Sequence, residues 1–426
     1  MSLIVKIGKK GKAIVKKLIS PVEVHHVSYT RRIERVRTDR RILAMTFDDG
    51  PMDMPCVPDL FEGRSLTDVI LDTLEEFGAK GTFDVIGDTS DNYPDEAGAL
   101  GSAAWGGIQY DHYPDIHCDD RGGAVHNDRL IRRILDGGHQ ITNHGYRHII
   151  FGKKPFVYGK RVFLGSFDKA VEDLSRLHAY MKTNYGYEIT MSRPPHYVDK
   201  VEGSLTSYDV YDAMGYQYMA ASFDGAGWLP MAGSDENDAF KAEIRAMVEP
   251  LRAALEKDPD CFCGQIIFQK DGCNMAKRTP VAVGLRLQLE LLQKYGYRVV
   301  TVQELLSESP FADVGRDDPD FEIFETLQKD HAVVYSDNRL RPDAQMTAGE
   351  LAMLLCPKEA LLEARRKAAS DKHATTYRCA LDLCAEAELL PRGTKEDAPV
   401  TALPGGLFGQ VTDNTRRSIL RAYRGE

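Results

Sequence analysis

Two adjacent carboxylates stand at the end of an apolar segment of the chain. Residues 44–51 read AMTFDDGP, so Asp48 and Asp49 follow a strand-like run and precede a Gly-Pro turn. Neighbouring side chains on a strand point to opposite faces, so the two carboxylates cannot share one salt bridge or one helix cap. An Asp-Gly turn accounts for one carboxylate but not for both. The alternative is a metal site, in which one carboxylate binds the ion and the other acts on a water molecule of that ion.

Two histidines have the spacing to complete such a site. His144 and His148 lie in the segment NHGYRH, directly after the strand-like run HQITN. On a helix, or on a helical turn at the strand end, this spacing places both imidazoles on one face. Chance pairs with this spacing are not rare, but a position at the end of a strand favours a ligand pair. One aspartate and two histidines leave a coordination position open, as a catalytic zinc requires.

Short apolar runs alternate with amphipathic helical segments between residues 41 and 306. The runs typical of buried strands are ILAMTF, GTFDVI, HQITN, EITMSR, QYMAASF, QIIFQ and YRVVTV. Helical spacing predicts helices after Ser65, after Asn127, and over 166–184, 204–214, 238–256 and 281–294. This alternation is typical of parallel βα units, and a closed barrel and an open doubly wound sheet both fit it. In either fold, the chemistry is expected at the C-terminal edge of the strands.

Composition excludes some classes of function. The net charge of −10 argues against a nucleic-acid partner. No apolar run reaches the length of about 18 residues that a transmembrane helix needs. The first seventeen residues carry six lysines without the apolar segment of a secretory signal, and the eight cysteines have no zinc-site spacing. These features predict a cytoplasmic protein with free thiols.

The pattern divides the chain into three parts. Residues 1–40 are predicted to be a basic N-terminal arm and lead-in, 41–306 the α/β unit, and 307–426 a small helical region. An insertion at 88–126, rich in Gly, Asp and Tyr, interrupts the α/β unit and is predicted to form a polar lid. In the last part, DAQMTA at 343–348 recurs as DAPVTA at 397–402, and each copy follows a helical segment. The repeat predicts a duplicated helical hairpin, although chance similarity over six residues is a competing explanation.

The motifs of residues 41–306 resemble those of the NodB-type polysaccharide deacetylases, carbohydrate esterase family four. TFDDGP is similar to the first motif of that family, and KGTFDVIG to its second strand. GGHQITNHGYRH is similar to the metal-binding motif, SRPPH to the Arg-Pro-Pro motif, ASFDGAGW to the fourth motif, and GQIIFQKDG to the last. The resemblance implies a distorted (β/α)7 barrel and a metal-dependent hydrolase of carbon–nitrogen bonds other than peptide bonds. The implied substrate is an N-acetylated amino sugar or polysaccharide, or a smaller amide.

The resemblance also implies roles for individual residues. Asp49, His144 and His148 would bind one divalent ion, Zn²⁺ first and Co²⁺ or Ni²⁺ as alternatives. Asp48 would be the general base, and Arg193 would pair with it and keep it ionised. The other implied catalytic residues are Lys270 and Asp224, and the implied substrate-binding residues are Pro195, His196 and Trp228. A backbone N–H near His196 would help to hold the oxyanion.

Four positions depart from the family pattern, and the first is Gly145, which stands where Ser or Thr is usual. Lys270 stands where the family has a histidine that protonates the leaving amine, Gly227 where a second Asp is common, and His196 where an aromatic residue is usual. A lysine, with an ordinary pKa of about 10.4, is a poor acid at neutral pH unless its surroundings lower that pKa. Lys270 is therefore either the acid or a solvated surface residue, and His196 is a third possibility for the acid. The alternative function is a catalytically impaired deacetylase fold that binds cell-wall glycan.

The C-terminal part has a resemblance of its own. PFADV and the segment DNRLRPDAQMTAGELAMLL are similar to an S-layer-homology repeat, and the segment ending in DAPVTA to a second, degraded copy. That family binds cell-wall polymers, which implies association with the cell envelope as the alternative location. The arginine that usually follows the threonine is replaced by Ala348 and Ala402. A helical module that packs on the barrel or mediates self-association is the competing interpretation.

Overall fold

The structure is a computed structural model of the chain. It describes residues 27–53, 55–88, 122–152, 163–228, 230–271, 278–329, 334–335, 337–371, 373–403 and 413–424. The basic segment at residues 1–26 and residues 89–121 of the predicted insertion lie outside the described residues.

Nine strands form one parallel sheet, and two more form a separate antiparallel pair. The strands are β1 (Val27–Ser28), β2 (Arg32–Ile33), β3 (Ile42–Asp48), β4 (Thr82–Val85), β5 (Gln140–Asn143), β6 (Met191–Ser192), β7 (Gln217–Met219), β8 (Phe223–Asp224), β9 (Ile266–Lys270), β10 (Arg298–Val300) and β11 (Val334–Tyr335). The order in the main sheet is β2-β7-β6-β5-β4-β3-β9-β8, and β10 also pairs with β3. β1 and β11 form the antiparallel pair.

The main sheet curls into an incompletely closed barrel. β7 and β8 lie near opposite ends of the strand order, yet only residues 220–222 join them. A link of three residues reaches roughly 10–14 Å, so the two edges of the sheet must be close together. The link contacts strands at both ends of the order, because the Ala220 N–H donates to the Ile33 carbonyl of β2 and the Ser222 N–H donates to the Ile266 carbonyl of β9, the neighbour of β8. The expected distorted (β/α)7 barrel is confirmed.

Two details of the predicted strands are wrong. QYMAASF was expected to be one strand, but it forms β7 and β8, which pair with different neighbours. β2 pairs with β7, so the sheet begins before the predicted boundary at residue 41. The sequence pattern fails in both places because these strands have only two or three residues, too few for a recognisable apolar run.

The helices follow the predicted alternation. In the described residues they are α1 (Pro58–Phe61), α2 (Leu66–Glu76), α3 (Asp128–Asp136), α4 (Phe167–Tyr185), α5 (Ser207–Met214), α6 (Glu236–Lys257), α7 (Val281–Lys294), α8 (Val302–Leu306), α9 (Phe321–Lys329), α10 (Ala348–Leu355), α11 (Lys358–Lys367), α12 (Thr376–Glu386) and α13 (Arg416–Arg424). Ser65 caps α2 as predicted, because its side chain accepts a hydrogen bond from the Asp68 N–H. No described helix combines the length and the apolar character that crossing a lipid bilayer would require.

Alternation along β3 decides which side chains face the site. Leu43, Met45 and Phe47 belong to the apolar core that the outer helices cover. Ile42 and Ala44 belong to a second apolar cluster, which lies on the opposite face of the strand. Because successive residues alternate between faces, Asp48 continues the row of Ile42 and Ala44. The barrel interior is therefore apolar at one end of β3 and carboxylate-bearing at the C-terminal end.

The C-terminal helices pack against the barrel. The Arg365 side chain of α11 is buried and donates to the carbonyl of Ser204, at 3.0 Å. The Ser204 N–H in turn donates to the Ala369 carbonyl, at 2.8 Å. The Tyr29 hydroxyl, close to the start of the barrel, donates to the Met353 carbonyl at the end of α10. These contacts fix α10 and α11 on the outside of the barrel.

The two repeated segments lie side by side. Thr347 caps α10 in a capping box, and its backbone is bridged to Pro399 of the second copy. The Ala348 N–H donates to the Ala398 carbonyl across the two copies. The helical segments predicted to precede the copies are α9 and α12. The first copy leads into α10, whereas the second forms a short 3-10 helix, Val400–Ala402.

Candidate metal centre

Asp48 and Asp49 are buried at the C-terminal edge of the sheet. Asp48 is 2% exposed and Asp49 is fully buried. Asp49 has a φ of 76°, in the left-handed region that non-glycine residues rarely adopt. The following Gly50 packs so closely that a Cβ there would lie 2.1 Å from Asp271 Oδ2. Strain of this kind costs about 1–3 kcal/mol per residue and is concentrated at functional sites.

His144 and His148 lie on a loop after β5. The helical turn that their spacing suggested is not formed: Gly145 and His148 have φ values of 88° and 52°. The Gly145 N–H donates to the Asn143 side chain, so the strand end itself holds the start of the loop. Asp173 of α4 holds the middle of the loop, because its Oδ2 accepts from the Tyr146 N–H at 2.7 Å. A left-handed backbone brings the two imidazoles together where a helix was expected to do so.

Three ligand atoms converge at this edge. His144 Nε2 lies 3.0 Å from Asp49 Oδ1, and His148 Nε2 lies 3.3 Å from the same oxygen. The two imidazole rings have their centroids 4.7 Å apart. Two ligands of a tetrahedral zinc, each about 2.0–2.1 Å from the ion, are separated by about 3.3 Å. The donor set and its spacing therefore fit one divalent transition-metal ion.

Asp84 orients one of the two imidazoles. His144 Nδ1 lies 2.7 Å from Asp84 Oδ2 and 2.9 Å from the Arg193 carbonyl, which leaves Nε2 to face Asp49. Burial lowers the pKa of His144, but the Asp84 and Asp49 carboxylates outweigh that effect and raise the pKa to about 10. The other oxygen of Asp84 accepts from the Thr142 hydroxyl. A carboxylate behind a ligating histidine fixes its tautomer and increases its basicity.

Sequence analysis missed Asp84. It lies in the middle of β4, directly opposite Asp48 in the parallel register. The sequence did contain an indication of its role, because an aspartate inside the apolar run GTFDVI is rarely buried in a strand unless it has a partner.

Asp84→Asn should weaken metal binding by about 10- to 100-fold, the usual effect of losing a carboxylate behind a histidine ligand. The amide keeps the size of the side chain but removes the charge that orients His144. Metal affinity is measured by competition with a chromophoric chelator. Asp136→Asn, at an exposed helix end, is the matched control. Unchanged affinity in Asp84→Asn would show that the His144 orientation does not depend on this carboxylate.

Arg193 lies inside the barrel against Asp48. Its side chain is fully buried, and Nη1 donates to Asp48 Oδ1 at 2.5 Å and to the Thr46 hydroxyl at 3.1 Å. Burial raises the pKa of Asp48, and the Arg193 guanidinium acts against that rise. The second oxygen of Asp48 lies 3.9 Å from His144 Nε2. Asp48 is therefore placed beside the three ligand atoms and is held there by Arg193.

Lys270 contacts the neighbouring carboxylate, that of Asp49. It ends β9, directly opposite Asp48 in the register, and its Nζ contacts Asp49 Oδ2. The side chain is only 17% exposed, so the hypothesis of a solvated surface lysine is wrong. The two oxygens of Asp49 thus have different neighbours: Oδ1 faces the imidazoles and Oδ2 faces the ammonium group.

Of the remaining predicted site residues, Pro195 and His196 lie near the ligand cluster. Pro195 and His196 lie in a short 3-10 segment, Pro195–Tyr197, and the His196 ring centroid is 5.2 Å from that of His148. The N–H of Tyr197 in this segment donates to the Pro194 carbonyl, so this particular N–H is not placed to hold an oxyanion.

Asp224 and Trp228 lie away from the ligand cluster in the described contacts. Asp224 is exposed at the end of β8, and both of its oxygens accept from Trp228 Nε1 at 3.1 Å. Its register partner is Phe268, two residues before Lys270. Asp224 contacts Trp228 instead of the ligand cluster. The predicted residues that the described contacts do join in one cluster are Asp48, Asp49, His144, His148, Arg193, His196 and Lys270.

Comparison with known proteins identifies related sequences. Residues 35–219 match the family model described as Polysaccharide deacetylase. A curated relative is the peptidoglycan-N-acetylglucosamine deacetylase PgdA of Listeria monocytogenes, 23% identical over 303 residues. The alignment covers 70% of this chain and 47% of that protein. The chain therefore spans about half the length of the curated relatives it matches.

Solved structures give three further likenesses. The chitin deacetylase of Colletotrichum lindemuthianum is 19% identical, with 66% of this chain and 94% of that chain covered and a TM-score of 0.42. The peptidoglycan deacetylase PdaC of Bacillus subtilis is 17% identical, with 64% and 93% covered and a TM-score of 0.40. BA3943 of Bacillus anthracis, described as a CE4 family pseudoenzyme, is 15% identical, with 65% and 69% covered and a TM-score of 0.39.

Proposed function

We propose, from the match of residues 35–219 to the family model described as Polysaccharide deacetylase, that the protein is a metal-dependent hydrolase that removes the acetyl group from an N-acetylated amino sugar or polysaccharide. The bond broken is a carbon–nitrogen bond other than a peptide bond. The observation that carries the proposal is the convergence of one possible ligand atom each from Asp49, His144 and His148 within 4.8 Å of one another. Zn²⁺ is the first choice of ion, with Co²⁺ or Ni²⁺ as alternatives.

A divalent ion held by Asp49, His144 and His148 would lower the pKa of a coordinated water and polarise the acetyl carbonyl. Asp48 is placed to accept the proton from that water. Its Oδ2 lies near the ligand atoms, while its Oδ1 is held by Arg193. Because Arg193 favours the ionised carboxylate, the pair keeps a proton acceptor available in a buried position.

A proton donor must return a proton to the leaving amine. Lys270 and His196 are the two candidates, and they contact different members of the ligand cluster: Lys270 contacts Asp49 and His196 lies against His148. The ammonium of Lys270 is close enough to the cluster to donate. The His196 imidazole has the more suitable ordinary pKa, about 6.5.

The pH dependence of the rate separates the two donors. If His196 is the donor, His196→Ala should remove the alkaline-side decline of kcat and lower kcat by about 10²–10⁴-fold, whereas Lys270→Ala should leave that decline in place. If Lys270 is the donor, the two results exchange. The full pH–rate profiles of both variants, each loaded with the same metal, provide the measurement. An unchanged profile in His196→Ala would eliminate His196 as the acid.

Deacetylation is tested directly by acetate release. Purified protein loaded with zinc, cobalt or nickel is incubated with chitin oligomers and with peptidoglycan fragments. The proposal predicts acetate from at least one substrate, and its loss after the metal is removed with a chelator. Acetate release that survives complete metal removal, or no release with any of the three metals, would contradict the proposal.

The second candidate function is a deacetylase fold that binds glycan without turnover. The contact of Lys270 with Asp49 favours it, because an ammonium group already compensates part of the charge that a metal ion would neutralise. Glycan binding without acetate release from any metal-loaded form is the result that this candidate predicts. Measuring glycan affinity and acetate release on the same preparation distinguishes the two functions.

The C-terminal region supports an accessory role. Arg365 and Ala369 join it to the barrel, which favours a helical module that packs on the catalytic domain. Cell-wall polymer binding or self-association through this region, association with the cell envelope and the cytoplasmic location stay predictions from the sequence.

A further inference from the structure

The turn at residues 48–52 has a backbone conformation that needs support. Asp49 has a φ of 76°, and a residue in this region persists only where the surrounding structure determines its conformation. The Asp49 N–H donates to the Asp84 carbonyl at 3.2 Å, and the Ile86 N–H donates to the Gly50 carbonyl at 2.9 Å. β4 and the residue that follows it therefore hold one side of the turn.

The other side of the turn is held by Asp271, which directly follows β9. Its backbone N–H donates to the Asp48 carbonyl at 2.7 Å and so continues the pairing of β9 with β3. Its side chain is fully buried, and its Oδ1 accepts from the Thr67 hydroxyl at 2.7 Å. The same hydroxyl accepts from the Met52 N–H at 2.8 Å. Asp271 therefore contacts the first residue of the turn directly and the last residue through a single hydroxyl group.

The second oxygen of Asp271 packs against the middle of the turn. A Cβ at Gly50 would lie 2.1 Å from Asp271 Oδ2, so any larger residue at Gly50 would displace the carboxyl group. Oδ2 has no hydrogen-bond partner among the described residues. Burial raises the pKa of Asp271 well above its ordinary range. Because burying a carboxyl group costs solvation free energy, its place against this turn indicates a role in holding the turn.

We propose that Asp271 is a positioning residue for the candidate metal ligand Asp49, and that Thr67 transmits part of its effect. The inference rests on the proposed metal-dependent function and deepens it, because Asp271 is not a member of either candidate ligand group. By fixing the residues on both sides of Asp49, the two side chains keep Asp49 Oδ1 at 3.0 Å from His144 and 3.3 Å from His148. A ligand that is oriented before the ion arrives binds it more tightly, because less conformational freedom is lost on binding.

Substitutions at Thr67 test the proposal without removing bulk from the core. Thr67→Val keeps the size of the side chain but removes the hydroxyl, so the Met52 N–H loses its acceptor and Asp271 loses its donor. Zinc affinity, measured by competition with a chromophoric chelator, should fall by about tenfold, the low end of the effect of residues that support a ligand. Thr67→Ser keeps the hydroxyl and should retain most of the affinity.

Thr73→Val is the matched control for Thr67→Val. Thr73 is a buried threonine of the same helix, α2, and its hydroxyl donates to the Val69 carbonyl at 2.7 Å. Each valine variant loses a buried hydroxyl group, so the melting temperatures of both should fall by similar amounts. A purely structural role would change only the melting temperature, whereas the positioning role also lowers zinc affinity, and only in Thr67→Val.

Substitutions at Asp271 provide an independent measurement. Asp271→Ala should lower zinc affinity by at least about tenfold, because it removes both the hydrogen bond to Thr67 and the packing against Gly50. Asp271→Asn keeps an oxygen that can accept from Thr67 and should retain most of the affinity. If Asp271→Ala does not fold, the Thr67 variants decide the question.

Wild-type zinc affinity in Thr67→Val, or in a folded Asp271→Ala protein, would overturn the positioning role. An equal loss of zinc affinity in Thr73→Val, or a loss in Asp271→Asn as large as that in Asp271→Ala, would also overturn it. If wild type binds zinc and releases acetate while these variants keep their zinc affinity, only the positioning role fails. If wild type binds no zinc, the proposed metal-dependent function fails and the positioning role fails with it.

Discussion

Asp48→Asn should lower acetate release by about 10²–10⁴-fold, the range that a positioned general base contributes. The amide cannot accept a proton at neutral pH. Its oxygen can still accept the hydrogen bond that Arg193 Nη1 donates to Asp48 Oδ1 in the wild type. Asp48 clusters with Asp84 and His144 but is not part of the proposed ligand set Asp49, His144 and His148, so metal content should stay at the wild-type level. kcat/KM for acetate release and metal content are measured on the same sample.

The control for this variant is Asp53→Asn, an exposed aspartate five residues further along the chain. It should retain wild-type activity. A melting curve of Asp48→Asn measures the stability that is lost when the buried Arg193 charge no longer has a carboxylate partner, because breaking a buried ion pair costs about 3–5 kcal/mol. Wild-type activity in a folded, metal-loaded Asp48→Asn protein would eliminate Asp48 as the general base.

His148→Ala should weaken metal binding by more than 100-fold and abolish acetate release. The expected loss exceeds the roughly 10- to 100-fold effect of removing a supporting residue, because a ligand atom itself disappears. The remaining pair, Asp49 and His144, is too few for a stable tetrahedral site. Dissociation constants from chelator competition provide the measurement.

His178→Ala is the matched control for this variant. His178 is half-buried on α4 and its Nδ1 contacts the Tyr216 hydroxyl, away from the ligand cluster. Metal affinity should be unchanged in this control. Equal metal affinity in His148→Ala and wild type would mean that His148 is not a ligand.

The convergence of Asp49 with His144 and His148 was predictable from the sequence. Each group follows a strand-like run, and the C-terminal ends of parallel strands meet at one edge of a sheet. The register that places Asp84 opposite Asp48 was not predictable, because pairing between two strands depends on the packing of the whole sheet. For the same reason the contact between Lys270 and Asp49 could not be foreseen from residues 221 positions apart.

The conformation of the loop that carries His144 and His148 was also not predictable from the sequence. The spacing of His144 and His148 suggested a helical face, whereas the loop is held by Asn143 and by Asp173 of the following helix. A hydrogen bond from a neighbouring helix overrides a local spacing rule, because it satisfies a backbone N–H group that a buried loop would otherwise leave unpaired. Local pattern therefore identified the ligand residues but not the backbone that presents them.

X-ray absorption spectroscopy of the zinc-loaded protein tests the metal centre most directly. The account predicts one ion per chain, coordinated by two imidazole nitrogens and one carboxylate oxygen, each at about 2.0–2.2 Å. A protein that takes up no stoichiometric zinc, or a spectrum without imidazole scattering, would contradict it.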